Sequence, residues 1–423
     1  MADDRKPKEQ QGLPEGWEWV KLGEVIEEIK ERNLSNEQLP LLTSSRKGIY
    51  LQDEYFNRIV ASENLSNYKV IRKGQFTYRS MSDDETFVFN RLENIELGLV
   101  SPAYYIFQVI KGCSGSFLKY FINNSVEVKK QIYKYVEGTT RTALRFNQLK
   151  NFIVPLPPLP EQRKIAEILE TVDNAIEKTE KIIEKYKRIK QGLMQDLLTK
   201  GIDEKGNIRS EKMHKFKDSP LGRIPEEWEV VRLGEILKFL KGKTPRKLYD
   251  YEEEGMTIYL TPEYLRKNKC DVAFCKKEET LLANEDIIIL WDGSNAGEVF
   301  WAEKGAVAST MAKIDITSSD FPIYKKFLYY YLKSNEFVFK YQVKGSGIPH
   351  FEKDILNTLN SVFPPLSEQK RIAEILSQID QAIEKEEKYK QKLERLKKGL
   401  MEDLLTGKVR VNKLLEGENH GMA

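Results

Sequence analysis

The chain of 423 residues is 31% charged and 40% hydrophobic, and its 68 Lys and Arg nearly balance 65 Asp and Glu, leaving a formal net charge of +3. That balance, with a pI near 8.3, neither demands nor excludes a nucleic-acid partner, since a DNA reader can confine its basic residues to one face. No run approaches about 18 apolar residues, and the opening MADDRKPKEQQG has no apolar core; the expectation is no signal peptide, no membrane span and a cytoplasmic location.

In chain order, residues 1–12 predict a disordered leader. Residues 13–156 open on LPEGWEWVKLGEVI and continue through short β-rich runs (TFVFN, AYYIFQVI), Gly and Asn turns, and an amphipathic stretch near Phe117 to Val136, which predicts a mixed α/β domain. Residues 157–199 predict one long helix. Its apolar positions alternate in steps of four and three through Ile165, Leu169, Val172, Ile176, Ile183, Tyr186, Leu193 and Leu197, a coiled-coil seam. A Pro-rich start, Glu161 in the first turn and Gly201 after Leu-Leu-Thr mark its two ends. Residues 200–223 are charged, contain Gly and carry no packing pattern, so they read as a linker.

The plan then repeats. Residues 224–363 open on IPEEWEVVRLGEIL and include DIIILW, VFWAEK and a helix near Ile323 to Tyr341; residues 364–406 form the second long helix, and 407–423 a polar tail. The helices superimpose without a gap at an offset of 207, from Ile165 to Ile372 and from Gly192 to Gly399, while Trp17 and Trp228 are offset by 211. A period of this size is a duplicated domain, not a solenoid unit. Polar breaks fall at matched places in the seams, Thr179 with Glu386 and Lys190 with Lys397. Roughly 40 residues at 1.5 Å make a rod of about 60 Å. The simplest partner for one rod is the other. The expected fold is therefore mixed α/β, with two homologous globular domains separated by two long antiparallel coiled-coil helices in a pseudo-twofold repeat.

The halves agree where they would form a shared scaffold and differ in the domain interiors that would meet a ligand. Two readers of one target type, each tuned to its own version, have this pattern, and so has a duplication whose surface loops drift without consequence. Catalytic signatures are missing: neither Pro-Pro pair sits in an Asn-Pro-Pro-Tyr-type methyltransferase motif, the KGKT at Lys241 to Thr244 lacks the upstream Gly of a Walker loop, and there is no HExxH. Three cysteines, Cys113, Cys270 and Cys275, lack the spacing of a four-ligand zinc site and are expected to be buried or incidental thiols.

The paired PPLPEQRKIAEIL and PPLSEQKRIAEIL openings, the GLMQDLLT and GLMEDLLT closings, and the PEGWEWVKLGE and PEEWEVVRLGE domain starts resemble the specificity subunit of type I restriction and modification enzymes, over nearly the whole chain. The resemblance implies a non-catalytic reader of double-stranded DNA. Each globular domain would be a target recognition domain contacting one half of a split, asymmetric site, with the helices setting the unread spacer. Two modification subunits would dock on the helices and methylate adenine with S-adenosylmethionine. Restriction subunits, with ATP and Mg, would cleave, so the chain itself would need no cofactor and no metal. One turn of B-DNA is about 34 Å, which a rod of this length can span.

Candidate partner-binding residues are the helix positions identical in both copies and expected to be exposed: Glu161, Gln162, Glu167, Asp173, Glu177 and Asp196, matched by Glu368, Gln369, Glu374, Asp380, Glu384 and Asp403. Gly192 and Gly399 join them, since a mid-helix glycine costs about 1 kcal/mol relative to alanine and here occurs twice. Candidate DNA contacts lie in polar or basic turns: Arg46 and Lys47; Tyr78, Arg79 and Ser80 after GQFT; and Thr139, Thr140 and Arg141. In the second half they are Lys241, Lys243, Thr244, Arg246 and Lys247; Asp292, Ser294 and Asn295 after IIILW; and Lys344, Ser346 and His350. Such side chains hold phosphates or read base edges. The competing expectation is a coiled-coil assembly adaptor with two protein-binding domains. A self-sufficient DNA-modifying enzyme is disfavoured by the missing motifs.

Overall fold

The computed structural model describes the chain except residues 1–11, 57–63, 85, 136–141, 268–270, 319–320, 342–350, 352–358, 413 and 416–423. The chain divides into two units, residues 1–180 with 389–423, and residues 181–388. Each unit joins one globular α/β domain to the first half of the long helix that follows it and the last half of the other long helix.

The long helices span Leu159–Leu197 and Leu366–Leu404, within two residues of the expected ends. Within each unit their segments run antiparallel. In the first, Lys397 pairs with Asp173 (2.6 Å) and Lys390 with Glu180 (2.6 Å); in the second, Lys190 pairs with Asp380 (2.6 Å) and Lys187 with Glu387 (3.0 Å). The seam's ends also enter the globular cores. Ile165, Leu169, Leu404 and Leu405 are buried with Phe117, Phe146 and Val154 in the first unit, and Leu197, Leu198, Ile372 and Leu376 with Trp228, Phe327 and Phe363 in the second. Helix and domain thus share one apolar interior, and each buried Leu or Ile contributes roughly 1.5–3 kcal/mol relative to exposure.

The domains repeat one topology. In the first, an antiparallel sheet runs in the order Ile26–Ile29, Tyr104–Val109, Phe76–Arg79, Asn90–Arg91. In the second, Leu237–Lys241, Met311–Ile316, Leu282–Leu290 and Val299–Val307 follow the same order, extended by Met256–Leu260 and Phe274–Lys276. The strands ending in FTYR and IIIL are therefore both third in their sheets. The strand after each opening Trp pairs with the one leading into the following long helix, Glu18–Lys21 with Ile153–Leu156 and Glu229–Arg232 with Asn360–Phe363.

Four expectations change. The stretch near Phe117 to Val136 is two helices, Gly115–Asn124 and Val126–Tyr135, because Ser125 turns extended and its hydroxyl accepts from Val128 N–H, capping the second. The TFVFN run is not a strand until Asn90: Phe87 and Phe89 are buried, but the Asn123 side chain satisfies both backbone groups of Phe89 at 2.9 Å. The 200–223 stretch is not a free linker. Ile202 is buried beside Trp228, and Phe216–Ser219 pairs with Gly222–Pro225 as a hairpin. The 407–423 tail likewise begins with packed residues, since Val411 joins the first core.

Candidate nucleic-acid interface

Each domain is tied to its helices by the same buried clasp. In the first unit the Glu161 carboxylate accepts from Trp17 Nε1 (3.1 Å) and from Arg410 through Nε (2.7 Å) and Nη2 (2.9 Å). In the second, Glu368 accepts from Trp228 Nε1 (3.4 Å), from Arg209 through Nη1 (2.5 Å) and Nη2 (3.1 Å), and from Ile202 N–H (2.8 Å). A carboxylate taken this far out of water is tolerated only with such a set of donors. The helix-stop glycines complete both clasps. Gly201 (φ +65°) sits where a Cβ would lie 2.1 Å from Glu368 Oε1, and Gly407 (φ +70°) where it would lie 2.5 Å from Pro14.

A residue further on, Gln162 accepts from Ser114 N–H (2.8 Å) and Gln369 from Tyr324 N–H (2.8 Å), and each amide also donates to two carbonyls. A third matched contact joins domain to helix pair. Tyr120 donates to Asp173 at 2.7 Å beside Lys397, and Tyr330 donates to Asp380 at 2.7 Å beside Lys190. Burial, and then the neighbouring carboxylate, push the Tyr120 hydroxyl up, keeping it a donor; burial does the same to Tyr330.

Glu161, Gln162, Glu368 and Gln369 are thus corrections: they are 1–6% exposed, and internal clasps, not a docking partner, account for their identity in the two copies. Asp173 and Asp380 are half-buried in the same service. Glu167, Glu177 and Glu374 are exposed; Glu384 is half-buried, and hydrogen bonds from Lys388 and Lys267 hold its carboxyl below the ordinary value. Asp196 and Asp403 pair with Lys200 (2.8 Å) and Lys408 (3.2 Å). Gly192 and Gly399 are exposed, and a Cβ at either would meet nothing within 4 Å, so no close approach within the described chain explains them.

Beside each Tyr–Asp–Lys contact opens a groove. That of the first unit is lined by Arg46, Lys47, Arg91, Lys119, Lys129 and Lys397 against Glu93 and Asp173, with Asn90, Asn123 and Tyr133 between them. That of the second has Lys190, Arg266, Lys267, Lys304, Lys326 and Lys333 against Glu298, Glu303, Asp380, Glu384 and Glu387. Lys326 lies 3.7 Å from the Trp301 ring centre, and burial holds its ammonium below the usual lysine range.

Of the expected DNA contacts, Arg46 and Lys47 are brought to the first groove, with Arg46 paired to Asp84 in the loop that follows the third strand. The second domain has a partial counterpart: Lys241, at the end of the first strand of its sheet, pairs with Asp292 at 3.1 Å in the loop after the third strand, with Ser294 and Asn295 exposed beyond it. Lys243, Thr244, Arg246 and Lys247 are exposed, the last stacked over Tyr249. Arg79 is exposed, while Ser80 donates to the Ala103 carbonyl at 2.8 Å. Tyr78 is a correction: it is fully buried, its hydroxyl bonds to the Leu144 carbonyl, and it belongs to the core. Thr139, Thr140, Arg141, Lys344, Ser346 and His350 lie outside the described residues. Arg91, Lys119, Lys129, Lys304, Lys326 and Trp301 were not legible as site residues, because their meeting depends on strand order; Lys190 and Lys397 were visible, as matched breaks in the seam. No group of three or more metal-ligating side chains occurs among the described residues.

Two homologous α/β domains, each clasped to the same pair of return helices and each opening a charged groove beside them, define a duplicated two-module binding protein. The sequence profile of the type I restriction modification DNA specificity domain matches twice, at residues 14–188 and 225–395, and the chain belongs to that family of specificity subunits. It is 42% identical over 196 residues to the type I restriction enzyme MjaVIII specificity subunit of Methanocaldococcus jannaschii, covering 46% of each protein. A second protein of that organism is 35% identical over 291 residues, 67% of this chain and 66% of that protein, so the matches span about half to two thirds of these relatives. The S subunit of a type I restriction-modification system from M. genitalium has the same fold, with TM-score 0.63 and 16% identity over 95% of this chain and 99% of that one.

Proposed function

We propose that this chain is the DNA sequence-specificity subunit of a type I restriction-modification complex. Each globular domain reads one half of a bipartite, asymmetric site in double-stranded DNA, and the lengths of the helices set the spacer. Two modification subunits dock on the helical region and methylate adenine from S-adenosylmethionine; restriction subunits bring ATP and Mg and the cleavage chemistry. The chain itself is non-catalytic and works in the cytoplasm. Among the described residues no helix is long and apolar enough to cross a membrane.

The observation that carries the reading is the contrast between clasps and grooves. Glu161 and Glu368, with their Trp, Arg and Gly neighbours, are the same device twice, whereas the groove linings share the Asp–Lys contact and little else. Equal mounting with unequal reading surfaces suits two half-sites of different sequence. The basic lining of the first groove suits phosphates.

The test is the adenine methylation pattern of DNA from cells expressing this chain with its modification subunits, against cells lacking it. A split motif with a fixed spacer, present only with the chain, is expected. An unsplit or absent motif from an assembled complex removes the two-reader model and brings the adaptor forward.

A further inference from the structure

Phosphate contacts place a duplex but carry no sequence, and in the second groove five carboxylates already face the cations. The second domain therefore needs base-reading groups of its own, and its groove wall leads to a set of them. Arg266, on that wall, donates to Glu298 through Nε (3.0 Å) and Nη2. Glu298 ends the loop of residues 292–298 that joins Leu282–Leu290 to Val299–Val307. At the other end Lys241 pairs with Asp292 at 3.1 Å, and the Trp291 and Asp292 N–H groups both donate to the Thr310 carbonyl, at 2.8 and 3.1 Å. Between these ties Ala296 is 2% exposed, and Gly297 (φ +91°) sits where a Cβ would lie 3.0 Å from the Lys340 backbone.

The tip of this loop is the opposite of its ends. Ser294 and Asn295 are exposed, and among the described residues neither side chain has a hydrogen-bond partner. Strands Leu237–Lys241 and Leu282–Leu290 are both antiparallel to Met311–Ile316, so the turn carrying exposed Lys243 and Thr244 opens at the same end of the sheet as the tip. The corresponding loop of the first domain turns its polar groups inward: Ser82 donates to Asp84 at 2.9 Å, and the Thr86 N–H approaches both side chains. A backbone tied at both ends holds a side chain to the precision that a base edge demands. A carboxamide offers one acceptor beside donors, the complement of the N6 donor and N7 acceptor of adenine in the major groove; Arg or Lys would select guanine.

We propose that the tip at residues 293–295 is the base-reading element of the second domain, with Asn295 the specificity-determining residue for an adenine in its half-site. Arg266, through Glu298, and Lys241, through Asp292, are positioning residues for that tip. This rests on the DNA reading proposed above and adds which base one side chain selects.

The full chain is assembled with its modification subunits, its split motif is read from adenine methylation, and affinities are measured on duplexes changed one base pair at a time. Asn295→Ala should lower the preference for one A·T pair, other than the methylated one, by about tenfold or more in a single half-site. The other half-site, the spacer and the melting temperature of the chain should not change. Asn295→Gln, which keeps a carboxamide, should restore part of the preference, and Asn295→Arg should move it towards G·C. Arg266→Gln should lower the preference at that same position, and Arg266→Lys should lower it less; no effect there removes the positioning role. Unchanged preferences in Asn295→Ala overturn the proposal, as does an equal loss of affinity on every duplex, which gives Asn295 to the DNA backbone. A motif with no specified A·T pair beyond the methylated ones refutes the choice of adenine. A wild-type complex that yields no split motif sinks the DNA reading and this inference with it, whereas a split motif indifferent to Asn295 sinks this inference alone.

Discussion

The two grooves differ where the two clasps agree. Six cations face two carboxylates in the first groove, whereas six face five in the second. The clasps bury one carboxylate each under one Trp and one Arg, at distances that agree within about half an ångström. The difference follows from what each region costs to alter. An exposed groove charge can be exchanged within about 1 kcal/mol, but removing one partner of a buried, hydrogen-bonded pair strands the other. A duplicated chain can therefore diverge in what its grooves touch while its mounting stays the same.

The largest expected effect comes from breaking a clasp. Glu368→Ala leaves Arg209, Trp228 Nε1 and Ile202 N–H without their acceptor and should lower unfolding stability by about 3–5 kcal/mol, read by urea denaturation. Arg410→Ala should cost less than Arg209→Ala, since the Arg410 side chain is 23% exposed against 10% and water can replace part of what it loses. Equal losses would mean that burial does not set the strength of these pairs. Next come the helix-stop glycines. Gly201→Ala forces a side chain into left-handed backbone, at about 1–2 kcal/mol, and into Glu368 besides, so it should destabilise more than Gly407→Ala, whose nearest atom belongs to a proline ring.

How much of this was legible depends on how far apart the partners lie in the chain. The seams, the Pro-rich starts and the glycine stops are local patterns, and both long helices fall where those patterns put them. Glu161 also has a local reading, an acidic residue in a first helical turn, and that reading makes it exposed. Its burial depends on Trp17 and Arg410, 144 and 249 residues away, and no local rule carries that information. Tyr78 failed for a related reason: it lies beside polar residues in sequence, but it sits inside the strand Phe76–Arg79, whose first three side chains are buried and whose exposed end is Arg79. The runs before these turns, FTYR and IIIL, both become third strands because the two halves carry one topology.

The grooves give a smaller effect with a sharper readout. Lys119→Gln with Lys129→Gln in the first groove should reduce the slope of log affinity against log salt for duplex DNA by up to about two, measured on the assembled complex by fluorescence anisotropy. Lys304→Gln with Lys333→Gln in the second groove should change it less, since five carboxylates offset the cations there against two in the first. An equal change from both pairs would show that local carboxylates do not govern phosphate contact, and the contrast between grooves would lose its functional meaning.

The smallest effect runs the other way and separates the chain's own stability from its use. Gly192→Ala and Gly399→Ala add a Cβ into open space on a helix, so each should stabilise the isolated chain by about 1 kcal/mol. Gly201, only nine positions beyond Gly192, should respond with the opposite sign, because its φ is +65° and its surroundings are full. If the helix-face glycines exist for close approach by a partner, the same alanines that raise the melting temperature of the chain should weaken its assembly with modification subunits. Alanines that raise the melting temperature and leave assembly untouched would show that these two glycines serve no contact at all.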